Sequence, residues 1–311
     1  MPSVAQTIRR RGHFLRRRDL LAAGFTDAHL RHALNQKSIF RVRHGWYSVP
    51  DAPEAGIRAV RVGGRLTALS ALESYGMIVP RPATLHVAVR PTASRLRSPA
   101  DRRVRLTRFA GVTVFWTDRG GSSPWRVSVG DALLAILATE PRDVAVAACS
   151  AALHMRALRG WELDLVFDRA PARVRRWRSL VSTLDESHGE TFTRLWLGDA
   201  GIACTQQVHV AGVGWLDFRL RENLYVEVDG GHHGEPGQWR EDHERDLATA
   251  LLGGRTIRIT YPQLLGNWPA VLAAIERAIA DADALAVRRR AHPYRPRPQR
   301  KRRRSAAERP P

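Results

Sequence analysis

Between Leu224 and Gly230 the chain reads Leu-Tyr-Val-Glu-Val-Asp-Gly, an apolar run with carboxylates set at alternate positions. Side chains alternate along an extended backbone, so Glu227 and Asp229 share one face while Val226 and Val228 pack on the other. The run is apolar enough for a central strand, and a third carboxylate, Asp217, lies mid-strand in the preceding Trp215-Leu216-Asp217-Phe218. Carboxylates gathered in this way repel one another and lose hydration, and a cation is the simplest compensation. Oxygen ligands without sulfur suit Mg²⁺ or Mn²⁺.

The flanking sequence supplies an order of elements. Glu190 to Ala200 reads as a helix with Phe192, Leu195 and Trp196 inward and Gly201 closing it. Strands follow at Gln206 to Val210, Trp215 to Leu220 and Leu224 to Asp229. Gln238 to Leu252 reads as a helix with Leu247 and Leu251 as its buried stripe, Arg255 to Thr260 as a strand, and Pro262 to Ile279 as a closing helix. The sum is αβββαβα over a unit spanning 185–284.

These residues resemble the PD-(D/E)XK nuclease superfamily, in particular its very short patch repair endonuclease-like branch. The matching set is Glu190, Gln207, Asp217, Glu227-Val228-Asp229-Gly230, His232-His233, Asp242, Arg245-Asp246 and Arg258-Ile259-Thr260. The resemblance implies a restriction-endonuclease-like domain in which Asp217 and Glu227 ligate Mg²⁺ (or Mn²⁺). It also implies that Glu190 is a helix carboxylate near the metal and that His233 or His232 is a general acid/base. Where the superfamily usually has Lys, this sequence has Asp229; the resembled branch also lacks that lysine and uses His. A solvated turn is the alternative reading of His232-His233. Arg245 can pair with Asp242 three residues away or point at a bound phosphate. Trp239 reads as a core or rim aromatic.

The first 50 residues carry a second pattern. Leu15, Leu20 and Leu21 give a helix an apolar side, Gly24 ends it, and Thr26 can cap a second helix holding Leu30, Ala33 and Leu34. Ile39 to Arg43 alternates, His44-Gly45 turns, and Trp46 to Val49 returns, giving a winged-helix order. Gly24, Thr26, Leu30, Arg41, Val42, Arg43, Gly45, Trp46 and Tyr47 resemble the N-terminal domain of AbiEi-type antitoxins. Independently of that, a short helix with Arg31 and His32 beside a wing with Arg41 and Arg43 suits insertion into a major groove with phosphate clamps. The DNA-contact candidates are therefore Arg31, Arg41, Arg43 and Arg245.

Residues 51–184 alternate helical and strand patterns: helices at Leu66 to Tyr75, Gly130 to Thr139 and Asp143 to Leu153, strands at Leu85 to Val89 and Val112 to Trp116. No nucleophile, base and orienter cluster there, so the region reads as an α/β connector. The arginines at 169, 173, 175, 176 and 178 read as a solvated face.

Charge points to the partner. There are 50 Lys and Arg against 30 Asp and Glu, a formal +20, which calls for a polyanion such as DNA. Half of that excess lies in Arg288 to Pro311, where eleven Arg and Lys meet the single Glu308 among prolines; residues 285–311 read as a disordered basic tail. Cys149 and Cys204 stand apart in apolar segments, which excludes a disulfide scaffold and a Cys-rich zinc site. No apolar run approaches the ~20 residues of a membrane helix, and Arg9-Arg10-Arg11 is not followed by the apolar stretch of a signal peptide. The expected location is cytoplasmic.

The sequence thus describes a DNA-binding α/β protein with winged helix, connector, nuclease-like domain and tail. One reading is a Mg²⁺-dependent DNA endonuclease. The other is an antitoxin-like transcriptional regulator whose nuclease-like domain is inactive; whether a toxin protein is a further partner stays open, as does the oligomeric state.

Overall fold

The computed structural model describes residues 2–80, 82–107, 111–118, 123–229 and 247–291, with side chains through Arg288. His232, His233, Trp239, Asp242, Arg245, Asp246 and the tail beyond 291 lie outside the described residues. The chain is a mixed α/β protein of helices and several sheets.

The N-terminal part opens with a helix, α1 (Val4–Arg10), which the sequence reading passed over; a reciprocal capping box between Ser3 and Gln6 starts it. Leu15 belongs to a short strand, β1 (Phe14–Arg16), and only Arg17–Ala22 is helical (α2). Thr26 caps α3 (Asp27–Asn35), its hydroxyl accepting from the His29 N–H, and Leu30 and Ala33 are buried on one side. The hairpin of β2 (Phe40–Arg43) and β3 (Trp46–Ser48) completes a three-stranded antiparallel sheet in the order β1-β3-β2.

The middle part adds α4 (Glu54–Val62), β4 (Arg65–Leu66), α5 (Ala68–Ser74), β5 (Leu85–Val89) and β6 (Val112–Trp116). In the sheet order β4-β5-β6, β5 is buried at every position, antiparallel to β4 and parallel to β6. Leu66, expected at the start of a helix, is instead in β4. Helices α6 (Val129–Thr139), α7 (Arg142–His154), α8 (Gly160–Arg169) and α9 (Ala172–Arg175) follow, the last running into a 3₁₀ turn at Arg176–Leu180. Arg169, Arg173, Arg175 and Arg176 are exposed, and Arg178 pairs with Asp164 at 2.6 Å.

One apolar cluster runs from Val4 to Val174 without a break at residue 50. Phe14 of β1 meets Trp125 at a centroid distance of 6.0 Å, and Gly56 of α4 lets both rings approach; a Cβ there would lie 2.8 Å from Trp125 Cε3.

The C-terminal part begins with α10 (His188–Asp199), capped by Ser187. Strands β7 (Thr205–Val210), β8 (Gly214–Arg221) and β9 (Leu224–Asp229) form an antiparallel meander, and β10 (Arg255–Thr260) lies parallel to β9 at the edge, giving the order β10-β9-β8-β7. A parallel neighbour needs a crossover; its helix, α11, is described at 247–251. Leu247 and Leu251 are exposed there, against the expected buried stripe, and Thr249 is the buried residue. The closing helix is two helices, α12 (Tyr261–Gly266) and α13 (Trp268–Ala291). Pro269 explains the break: without an N–H it fits only the first turn, so a new helix has to start there. Residues 285–291, expected to be disordered, continue α13, since Ala284-Leu285-Ala286-Val287 contains no breaker. A second apolar cluster joins Phe218, Leu220, Val226, Val228 and Ile259 of the sheet to Phe192, Leu197, Leu264 and Ile275 of α10, α12 and α13.

Candidate functional site

The site is built on the central strand. Glu227 and Asp229 alternate with Val226 and Val228 on β9, and Glu227 is 6% exposed. The parallel register sets Arg258 of β10 beside Glu227. Arg258 Nη2 lies 3.0 Å from Glu227 Oε2, and Nη1 lies 3.8 Å from Asp229 Oδ1. A cation for this carboxylate pair is therefore supplied by the chain itself. Arg258 stood in the sequence pattern without a role, because the partner strand and its register are a property of the fold.

Asp217 sits where β8 parts from β9. The pairing of the two strands includes Arg219 with Tyr225 and Phe218 with Val226. One residue beyond, Asp217 Oδ2 accepts from the Val228 N–H at 2.8 Å. A side-chain carboxylate thus serves a main-chain donor of the central strand, beside Glu227 in sequence.

Glu190, at the third position of α10, approaches from the helix. It is 6% exposed, and its Oε2 accepts from the Glu186 N–H at 3.0 Å and from Gln207 Nε2 at 3.3 Å. Burial, reinforced by the negative charge of Asp217 and opposed by the Glu186 N–H and the Ser187 hydroxyl, pushes the Glu190 carboxyl up to about 7. Gln207 is bracketed by the pairs Gln206 with Phe218 and Val208 with Leu216, which set it opposite Asp217, and its φ of 45° departs from strand geometry. The structure thus brings Glu190, Gln207 and Asp217 together, and Glu227, Asp229 and Arg258 together, with Val228 linking the sets.

A support that sequence reasoning missed lies behind Glu190. Asp185 is 2% exposed and accepts from Arg194 Nη2 at 2.6 Å, Gln206 Nε2 at 2.6 Å and Thr191 Oγ1 at 3.0 Å. It ties the start of α10 to β7 one residue from Gln207. No local pattern announces it, since its partners lie six to 21 residues away.

Of the three DNA-contact candidates near the N-terminus, Arg31 is exposed on α3 and Arg41 is exposed on β2, its guanidinium 5.7 Å from the Tyr47 ring centroid. Arg43 is half-buried and donates to the Arg95 carbonyl at 3.3 Å, turned toward the middle part of the chain. Among the described residues no group of three or more His, Cys, Asp and Glu is arranged to hold a metal ion, and no helix is long and apolar enough to cross a membrane. No protein-family model matches this sequence, and a comparison with curated proteins gives no match.

Proposed function

We propose that the chain is a DNA-binding protein whose C-terminal unit is a metal-dependent, restriction-endonuclease-like domain of αβββαβα order, presented to DNA by an N-terminal winged helix. The observation that carries this reading is the meeting of Glu190 and Asp217, a helix carboxyl pushed up to about 7 by burial and by a strand carboxylate. A divalent cation is the natural relief for such a pair. On this reading Asp217 and Glu227 would hold Mg²⁺ or Mn²⁺ through oxygen, the ligand type such ions take, with Glu190 near Asp217. When bound, the ion polarises a phosphodiester oxygen and lowers the pKa of a water. Arg258 sets a positive charge 3.0 Å from Glu227. Without the ion Glu190 keeps its proton up to about 7, and a cation beside it would favour release of that proton. Arg31 and Arg41 are exposed to meet backbone phosphates. A DNA partner goes with a cytoplasmic location.

Cleavage of plasmid and duplex oligonucleotides with Mg²⁺ or Mn²⁺ tests the reading. Wild type should cut, and chelator or Asp217→Asn should abolish cutting while duplex binding persists. A second reading, an antitoxin-like regulator with an inactive nuclease-like domain, is favoured by two contacts: Arg258 already compensates Glu227 and Asp229, and Asp217 already serves the Val228 N–H. Tight duplex binding with no metal-dependent cutting by wild type selects it.

A further inference from the structure

Separate from the acidic residues, a cavity of about 400 Å³ opens between the β2–β3 hairpin and the edge formed by β4 and the end of β5. Four arginines line it from four separate segments: Arg16 at the end of β1, Arg43 at the end of β2, Arg65 in β4 and Arg90 just past β5. Asp118 is the one carboxylate among its described lining residues. Among the described residues none of the four arginines forms an ion pair with a carboxylate; Asp19, which acts on Arg16 from a distance, is itself paired with Arg18 at 3.4 Å.

Two of the four, Arg16 and Arg43, are held in place. Arg16 stacks over Trp46, its guanidinium carbon 4.9 Å from the ring centroid. Arg43 is fixed by the Arg95 carbonyl and lies across Gly63, where a Cβ would come within 2.1 Å of Nη1. Gly63 has a φ of 119°, so an L side chain there would be strained as well as in collision.

Like charges converging on a half-enclosed space repel, and burial adds to the cost of holding them there. Burial holds Arg16, Arg43 and Arg65 below the usual guanidinium range, and neighbouring arginines add to this: Arg18, Arg90 and Arg65 on Arg16, Arg97 on Arg43, Arg90 on Arg65. All remain cationic at neutral pH, so among the described lining residues four arginines face the single carboxylate of Asp118, an excess of positive charge that a bound anion would stabilise.

We propose that this pocket binds a phosphoryl group, with Arg16, Arg65 and Arg90 donating to its oxygens and Arg43 contributing fixed charge beneath it. A phosphate fits better than a carboxylate, because several converging guanidinium groups offer more charge and more forked donors than a monoanion can use. The phosphoryl group comes either from a nucleic-acid backbone or from a free phosphate compound. The pocket stands independently of whether the C-terminal unit cuts DNA.

The test uses the full chain and inorganic phosphate, titrated against chloride at constant ionic strength, with thermal unfolding and ³¹P line broadening as readouts. Wild type should gain stability with phosphate by mass action. Arg65→Gln should weaken phosphate affinity at least tenfold and leave the phosphate-free protein no less stable, since a repelling charge is removed. Arg90→Gln, at an exposed position, supplies the same test should Arg65→Gln fail to fold. A wild type that phosphate stabilises no more than chloride overturns the proposal, as does an undiminished response in the variants. Duplex-binding titrations of the same variants identify the source: weaker binding with a shallower salt slope assigns a backbone phosphate, and unchanged binding assigns a free phosphoryl compound.

Discussion

At Glu190, burial and a neighbouring carboxylate act in the same direction, and the consequence is a pH dependence of stability. The folded chain holds this proton up to about 7, whereas an unfolded chain releases it near the ordinary value of 4.5. The native state therefore binds the extra proton between those values, and the stability it brings is full below the window and lost as pH rises through it. Glu190→Gln should flatten that decline, seen in denaturant titrations from pH 4.5 to 8; parallel curves for the two proteins would show that Glu190 is not the group concerned. Asp217 behaves differently because it makes a contact with the main chain. Asp217→Asn keeps an acceptor for the Val228 N–H and removes a charge near Glu190, so it should be neutral or stabilising without metal, while abolishing any metal-induced rise in Tm. Asp217→Ala leaves a buried donor unmet and should lose about 1–3 kcal/mol. Equal stability of the two variants would mean that the Val228 contact carries no weight.

Among the elements, β9 and β10 occupy the segments that their apolar alternation marks, and Thr26 caps α3 as its hydroxyl and position foretell. These features are local, so a single sequence carries them. Arg258 against Glu227 and Asp185 against Arg194 and Gln206 are not local: each depends on which segments the fold brings together, and a charged residue looks the same in sequence whether solvated or paired. Leu247 and Leu251 show the converse, for spacing says that two side chains share a helix face and nothing about what covers it. The missed α1 was legible, its Ser3–Gln6 capping box being hidden only by the arginines that follow. Asp185 anchors α10, and Asp185→Ala would strand Arg194, whose side chain is only 16% exposed. The expected loss is about 3–5 kcal/mol, with Glu190 chemistry disturbed through movement of the helix start. A Tm within a degree of wild type would reduce the contact to decoration.

Across the whole molecule positive charge is most concentrated toward the C-terminal end of the sequence. Because α13 runs to Ala291, a truncation after that residue keeps the helix and removes eight of the chain's Arg and Lys. Each of these that contacts a DNA phosphate would contribute about 0.9 to the slope of log affinity against log salt, so the truncated protein should bind duplex DNA with a visibly shallower slope. An unchanged slope would leave those residues as a solubility device. The continuous apolar cluster from Val4 to Val174 has an implication for modularity. A segment that shares its interior with its neighbour cannot be transplanted, so residues 1–50 expressed alone should give a peptide without a cooperative melting transition, whereas 1–184 should melt as one unit. Any chain that borrows this N-terminal segment must then bring Trp125 and its surroundings with it, and recombination would exchange the two parts as a single cassette.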